Sequence, residues 1–277
     1  MTPAPALLSL AMALCSLPAC AGQETVWINM PDAAAPGGSI KLEATLHRPE
    51  GSAPTPVVVF HHGSSGGPIP ANYTDPAKGL AAMLNARGIA LLVPMRSGRG
   101  KSEGPNNEEP SACTIDAARA GLSNAAKAVD AIMVYLRTQP WVDMNRLAMA
   151  GQSRGGILAL TYASANPGVA RGAINFSGGW KSDTCASPDI NLSLFAAAGA
   201  KSTVPSLFLY AKGDGFYSDA SMASYAKAYQ DAGGKATFKL YTVSGINGHV
   251  LFRRAQHLWE ADVDAFLKEI GMLPTVM

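Results

Sequence analysis

Short apolar runs alternate with stretches of helical period from about residue 55 to the end of the chain. Pro56–Phe60 (PVVVF) and Gly88–Pro94 (GIALLVP) are continuous aliphatic runs, as strands buried on both faces require. Further strands are expected at Arg146–Ala150, Val169–Phe176, Val204–Tyr210 and Ala236–Val243. Between them lie the helical stretches Ala77–Ala86, Ser111–Arg137, Gly155–Ala165, Ile190–Ala198, Asp219–Asp231 and Ala255–Ile270. Pro140 and Asn166-Pro167 stop two of these. Val26–Met30 and Ser39–Leu46 read as an opening strand pair around the turn Pro36-Gly37-Gly38. This alternation predicts an α/β fold, with a mostly parallel central sheet and helices on both faces. Ligands bind such sheets beyond the C-terminal ends of the strands, so chemistry belongs in the segments that follow them.

With 277 residues the chain can bury a large core, and no Pro/Ser-rich linker divides it. Only 15% of residues are charged, which speaks against disorder. The net charge is +2 and no basic run exceeds Arg253-Arg254, which speaks against a nucleic-acid partner. Ala6–Leu17 is an apolar run of signal-peptide length. It is shorter than the roughly 20 residues that span a bilayer. Ala19-Cys20-Ala21 fits cleavage after Ala21, while Leu17-Pro18-Ala19-Cys20 resembles a bacterial lipobox with Cys20 as the lipidated residue. Against both, the first basic side chain is Lys41. Residues 1–21 are therefore expected to be a leader and 22–277 one domain, exported to the periplasm or beyond, with membrane contact only through Cys20. Cys113 and Cys185 then remain as a pair, for which an oxidising compartment favours a disulfide; two buried thiols are the alternative.

The pattern G-x-S-x-G occurs at Ser65, Ser102 and Ser153. A nucleophilic serine in that motif needs a strand before it and a helix after it. Ser153 has both, in Arg146–Ala150 and Gly155–Leu160; Ser102 and Ser65 are followed by proline-containing segments. A serine hydroxyl is a weak nucleophile until a base, oriented by an acid, takes its proton. The chain order expected here is Ser, then Asp or Glu, then His. His249, in the Gly-rich loop after the last strand, is the candidate base; His257, inside the closing helix, is the alternative. Asp214, in the turn after Val204–Tyr210, is the candidate acid. Asp219 is its runner-up, read instead as a helix cap, and Asp183 is a further alternative.

The developing oxyanion needs two backbone N–H donors. Arg154, next after the nucleophile, supplies one, and the loop His61–Gly67 supplies the other, from Ser64 or alternatively Ser65. Neighbouring residues of an extended chain point to opposite sides, which disfavours His61-His62 as metal ligands. No metal or cofactor is called for. Gly100-Lys101-Ser102 lacks the first glycine of a phosphate loop, because position 95 is Met.

These segments resemble the α/β-hydrolase family over nearly all of the chain after residue 55. His62-Gly63, Arg96–Gly104, Gly-Gln-Ser153-Arg-Gly-Gly and Gly213-Asp214 are most similar to dienelactone hydrolase-like and prolyl-oligopeptidase-like members. The resemblance implies an α/β-hydrolase fold and a Ser-His-Asp serine hydrolase acting through an acyl-enzyme on a small-molecule ester. Dienelactone hydrolases proper use a Cys nucleophile; Ser153 stands here, which favours general esterase chemistry over lactone cleavage. The family places Arg96–Gly104 after the fourth strand, with a structural role or, alternatively, a substrate contact from Arg96 or Arg99. The short stretch between Ser177 and Pro205 implies a minimal cap and soluble esters as substrates. Trp180 and Phe216 either line the acyl or alcohol pocket or are simply core packing or surface residues. A peptidase and a non-catalytic binding module on the same fold are the alternatives.

Overall fold

A computed structural model describes residues 22–51, 54–64, 73–75, 77–108, 112–181, 185 and 189–273. The leader, Cys20, Ser65 and Asp183 lie outside the described residues. Eight strands form one sheet: β1 (Gly22–Pro31), β2 (Ser39–Arg48), β3 (Thr55–His61), β4 (Ala90–Pro94), β5 (Val142–Gln152), β6 (Ala173–Phe176), β7 (Ser206–Ala211) and β8 (Ala236–Tyr241). Their spatial order is β1-β2-β4-β3-β5-β6-β7-β8. β2 runs antiparallel to both β1 and β4, and all pairs from β4 to β8 are parallel.

The helices are α1 (Lys78–Asn85), α2 (Ile115–Arg137), α3 (Arg154–Ala165), α4 (Asp189–Gly199), α5 (Asp219–Asp231), α6 (Leu251–Arg254) and α7 (Gln256–Glu269). The sheet separates two apolar cores. Val57 and Val59 of β3 pack with α2, α3, α4 and α5, while Val58 and Phe60 pack with α1, α6 and α7. Alternate residues of one strand thus feed opposite faces, which is why β3 reads as an unbroken apolar run. The stretch between β6 and β7 holds α4 and, among the described residues, no other element.

Several boundaries differ from the sequence reading. The long helix starts at Ile115, because the Thr114 hydroxyl accepts from the Ala117 N–H (3.2 Å) and caps it. β6 begins at Ala173, because residues before it turn at Asn166–Gly168, where Val169 donates back to the Asn166 carbonyl. β5 extends to Gln152, so the motif serine follows the strand directly. Ser218, not Asp219, caps α5: its hydroxyl accepts from Ser221 N–H at 3.1 Å, and Asp219 is the first helical residue.

Cys113 and Cys185 are bonded, with Cα atoms 5.6 Å apart. The bridge ties the approach to α2 to the segment before α4. Among the described residues, no helix is long and apolar enough to cross a membrane.

Candidate active site

The ends of β3, β5, β6, β7 and β8 align, with His61 opposite Gly151, Gln152 opposite Phe176, and Ala211 opposite Tyr241. Ser64, Ser153, Asp214 and His249 all lie in segments that follow strands at this end of the sheet. Ser153 sits in the turn between β5 and α3 with φ 56° and ψ −125°, a region that non-glycine residues rarely adopt. Hydrogen bonds hold the strained residue on both sides. Its N–H donates to the Phe176 carbonyl (2.9 Å), and its own carbonyl accepts from the N–H of Gly156 (2.9 Å). The flanking glycines are needed for proximity: a Cβ on Gly155 would strike the His61 and His62 carbonyls, and one on Gly151 would strike Gly155. Gly63 packs against the serine itself, where an added Cβ would lie 3.2 Å from Ser153 Cβ.

His249 lies in a single 3₁₀ turn, Gly248–Val250, between β8 and α6. Its Nδ1 is 2.8 Å from Asp214 Oδ2, and the Asp214 side chain is fully buried. A carboxylate only accepts, so Nδ1 carries a proton, and in the neutral ring the lone pair is then on Nε2. The other oxygen, Asp214 Oδ1, accepts from the N–H groups of Phe216 (2.7 Å) and Tyr217 (3.3 Å). His257 is exposed on α7.

Two side chains that the sequence reading did not select connect these parts. Asn247 Oδ1 accepts from the N–H of His249 (2.9 Å) and of Gly215 (3.0 Å), clasping the His249 loop to the Asp214 loop. Gln152 Nε2 donates to the His249 carbonyl (3.0 Å), which fastens that loop to the residue preceding Ser153. Both are short amides inside Gly-rich motifs, and that placement was their only signal in the sequence.

The loop after β3 is anchored by a buried ionic cluster. Arg96 donates to Glu108 through Nε (2.5 Å) and Nη2 (3.1 Å), and to the His62 carbonyl through Nη1 (2.8 Å). Arg99 Nε also donates to Glu108 (3.1 Å). The Ser64 hydroxyl donates to Glu108 (3.0 Å) and accepts from Arg96 Nη2 (3.3 Å). Burial alone would raise the Glu108 carboxyl; the charge and hydrogen bonds of Arg96, with His62 and Arg99, outweigh it and hold the carboxyl well below the usual range. Arg96 and Arg99 are therefore structural, as the first of the two readings has it, and their guanidinium groups are buried.

His62 completes the anchor: Nδ1 lies 2.5 Å from the Gly63 carbonyl and Nε2 accepts from the Arg96 N–H (3.2 Å). Burial, then the Arg96 charge, keep its imidazole well below its ordinary pKa. Arg154 Nε donates to the Trp180 carbonyl (3.2 Å), and its guanidinium lies 5.4 Å from the centre of the Trp180 ring. Trp180 is itself buried in the core, which removes it as a pocket wall. A cavity of about 450 Å³ is lined by Arg96 and Glu108 of this cluster and by Lys127, but neither Ser153 nor His249 lines it.

His61 is buried, and neither ring nitrogen has a hydrogen-bond partner. Burial first, then Arg96, lower its pKa to about 3, against a small opposing pull from Glu108. The unfolded chain therefore takes up a proton near pH 6.5 that the folded chain refuses, and stability falls as pH drops through that window. Between pH 6.5 and 5 this residue alone is expected to cost about 2 kcal/mol. Urea unfolding of His61→Leu should show that much less acid sensitivity than wild type; equal slopes would contradict the account.

Among the described residues, no three His, Cys, Asp or Glu side chains are placed to hold a metal ion.

An eight-stranded, mostly parallel sheet with a strained Ser turn after β5 defines the α/β-hydrolase fold. The chain belongs to the dienelactone hydrolase family, whose model matches residues 42–266. Among solved structures it is similar to Est1E from Butyrivibrio proteoclasticus bound to ferulic acid (TM-score 0.63, 18% identity, 89% of this chain and 99% of that one). It is also similar to the Pyrococcus furiosus esterase Pf2001 (TM-score 0.65, 12% identity, 90% of each chain). A third likeness is the Pyrococcus horikoshii acylaminoacyl peptidase (TM-score 0.61, 16% identity), of which this chain covers 41%.

Proposed function

We propose that this member of the family is a serine esterase in which Ser153, His249 and Asp214 form the catalytic triad. The observation that carries the reading is the His249–Asp214 hydrogen bond of 2.8 Å at the sheet edge where the strained Ser153 turn stands. Nε2 of His249 removes the Ser153 hydroxyl proton as Oγ bonds to the ester carbonyl carbon. The negative charge on the carbonyl oxygen is received by the N–H groups of Arg154 and Ser64. Collapse of this adduct breaks the bond to the leaving oxygen, which takes the proton from Nε2 and departs as the alcohol. Water then attacks the acyl-Ser153 carbonyl, giving its proton to Nε2. The acid leaves, and Nε2 returns the proton to Ser153 Oγ. Asp214 holds the ring orientation and stabilises its cation throughout.

Arg154 opens α3, and the first N–H groups of a helix point outward from its end toward developing negative charge. Ser64 follows Gly63, which contacts Ser153, and its hydroxyl is drawn to Glu108, leaving the backbone to serve the site. The test is a fluorophosphonate probe followed by peptide mass spectrometry of the adduct. The expected result is one stoichiometric adduct on Ser153 and turnover of p-nitrophenyl acetate. No adduct, or one on another residue, would refute the assignment, and faster cleavage of p-nitroanilides than of matched esters would favour a peptidase.

A further inference from the structure

The clasp made by Asn247 joins two loops that each carry an exposed apolar side chain. Phe216 follows Gly215, and Ile246 precedes Asn247; Gly215 and Asn247 are joined by the 3.0 Å hydrogen bond described above. Among the described residues the large exposed hydrophobics are Trp27 on β1, Val134 on α2, and these two. Phe216 is 43% exposed, and its ring centroid lies 4.4 Å from that of the His249 ring. The Tyr217 ring also approaches His249, at 5.8 Å, but is buried. The imidazole therefore touches one ring that belongs to the core and one that faces solvent. The Phe216 N–H donates to Asp214 Oδ1, so this ring is carried by the same turn that fixes the acid.

The chemistry decides which half of an ester meets that ring. Nδ1 of His249 is engaged by Asp214, so Nε2 must return the proton to the leaving oxygen. During acylation the leaving oxygen thus lies within hydrogen-bond reach of the imidazole, and the group it carries emerges beside it. The acyl carbon is bonded to Ser153, and its oxygen points to the Arg154 and Ser64 N–H groups. The acyl chain extends from that centre and not past the imidazole. Resting on the esterase reading, we propose that Phe216, with Ile246 on the loop clasped to its own, forms the alcohol subsite and selects esters of apolar, planar alcohols such as benzylic ones. A flat ring offset-stacked on Phe216 covers apolar surface that a methyl or polyhydroxylated alcohol leaves wet.

Acetate esters isolate this effect, because every one of them gives the same acetyl-enzyme. Benzyl and methyl acetate also have leaving alcohols of similar acidity. The kcat/KM ratio of benzyl to methyl acetate is expected to exceed about tenfold in wild type, within the range that one apolar contact supplies. Phe216→Ala should bring that ratio close to unity, Phe216→Leu should keep part of it, and Ile246→Ser should lower it by less. The ratio of methyl hexanoate to methyl acetate should stay at its wild-type value in all three. A benzyl preference untouched by Phe216→Ala would overturn the proposal, as would a shift in the acyl ratio instead. An equal loss on both acetates would assign Phe216 to packing His249 alone, and would overturn it too. If wild type cleaved no ester and took no fluorophosphonate on Ser153, the esterase reading itself would fall, an outcome distinct from all of these.

Discussion

Ser153→Ala and His249→Ala are each expected to lower kcat for ester hydrolysis by about 10⁶-fold, and Asp214→Asn by about 10⁴-fold. The first two remove the bond-forming oxygen and the group that moves its proton. The third keeps the size of the side chain and changes only what it offers to Nδ1. The Asp214 carboxylate must accept there, since its other oxygen is occupied by the N–H groups of Phe216 and Tyr217. An amide can turn its NH₂ toward Nδ1. The ring proton then moves to Nε2, which no longer has a lone pair for Ser153. On the proposed triad the three residues act as one unit, so Ser153→Ala/His249→Ala should be no slower than either single variant. Far-UV circular dichroism and urea midpoints should stay near wild type for Ser153→Ala, whose side chain makes no hydrogen bond the fold depends on. Near-wild-type turnover in Ser153→Ala or His249→Ala would remove the triad from the reaction; additive losses in the double variant would show that the two act separately.

The parts legible in the sequence are those with a period or a fixed motif. Val57–Phe60 lies in a strand with both faces buried, and its lack of alternation says so directly. Gly151 and Gly155 announce the serine turn because no side chain fits between that turn and the end of β3. The order Ser153, Asp214, His249 follows from strand order, since each residue leaves the sheet from the same edge. The bridge from Cys113 to Cys185 could be paired by elimination, but its reach across 72 positions depends on how α2 and α4 pack.

Other features leave no pattern. Asn247 works through one side-chain oxygen and two backbone N–H groups, a contact that any polar residue in a glycine-rich loop could suggest equally well. Trp180 looks like a pocket wall in a post-strand segment, yet the Asn191 amide draws its backbone inward and its ring joins the core. Ser218 and Asp219 both suit a helix start; only the geometry of the Ser221 N–H decides between them. Glu108 is the clearest case. It sits in a loop of polar and proline residues that reads as solvent-facing, and its burial follows from two arginines folding back from the segment after β4.

Glu108→Gln should therefore destabilise the fold by about 3–5 kcal/mol, because it removes the buried carboxylate that Arg96 and Arg99 share. The wild-type contribution of Glu108 is present at neutral pH and disappears on acidification through the carboxylate range. Its depressed folded-state pKa means that the unfolded chain protonates first. The variant should accordingly lose less stability between about pH 5 and 3 than wild type does. Ser64→Ala, which deletes one neutral link to the same carboxylate, should cost only about 1 kcal/mol. A combined replacement, Arg96→Met with Glu108→Leu and Arg99→Met, separates holding the fold together from positioning the loop. Replacing a whole buried ionic group by apolar side chains is often neutral for stability, so much of the lost free energy should return. Arg96 would still no longer donate to the His62 carbonyl or the Ser64 hydroxyl, and the proposed oxyanion donor would be loosely held. In that triple variant kcat for p-nitrophenyl acetate should remain depressed by about 10²-fold, the size of one lost oxyanion donor, while the urea midpoint recovers. Full recovery of kcat along with stability would mean that the cluster supports the fold alone and that the Ser64 backbone needs no help from Arg96 to meet the developing charge.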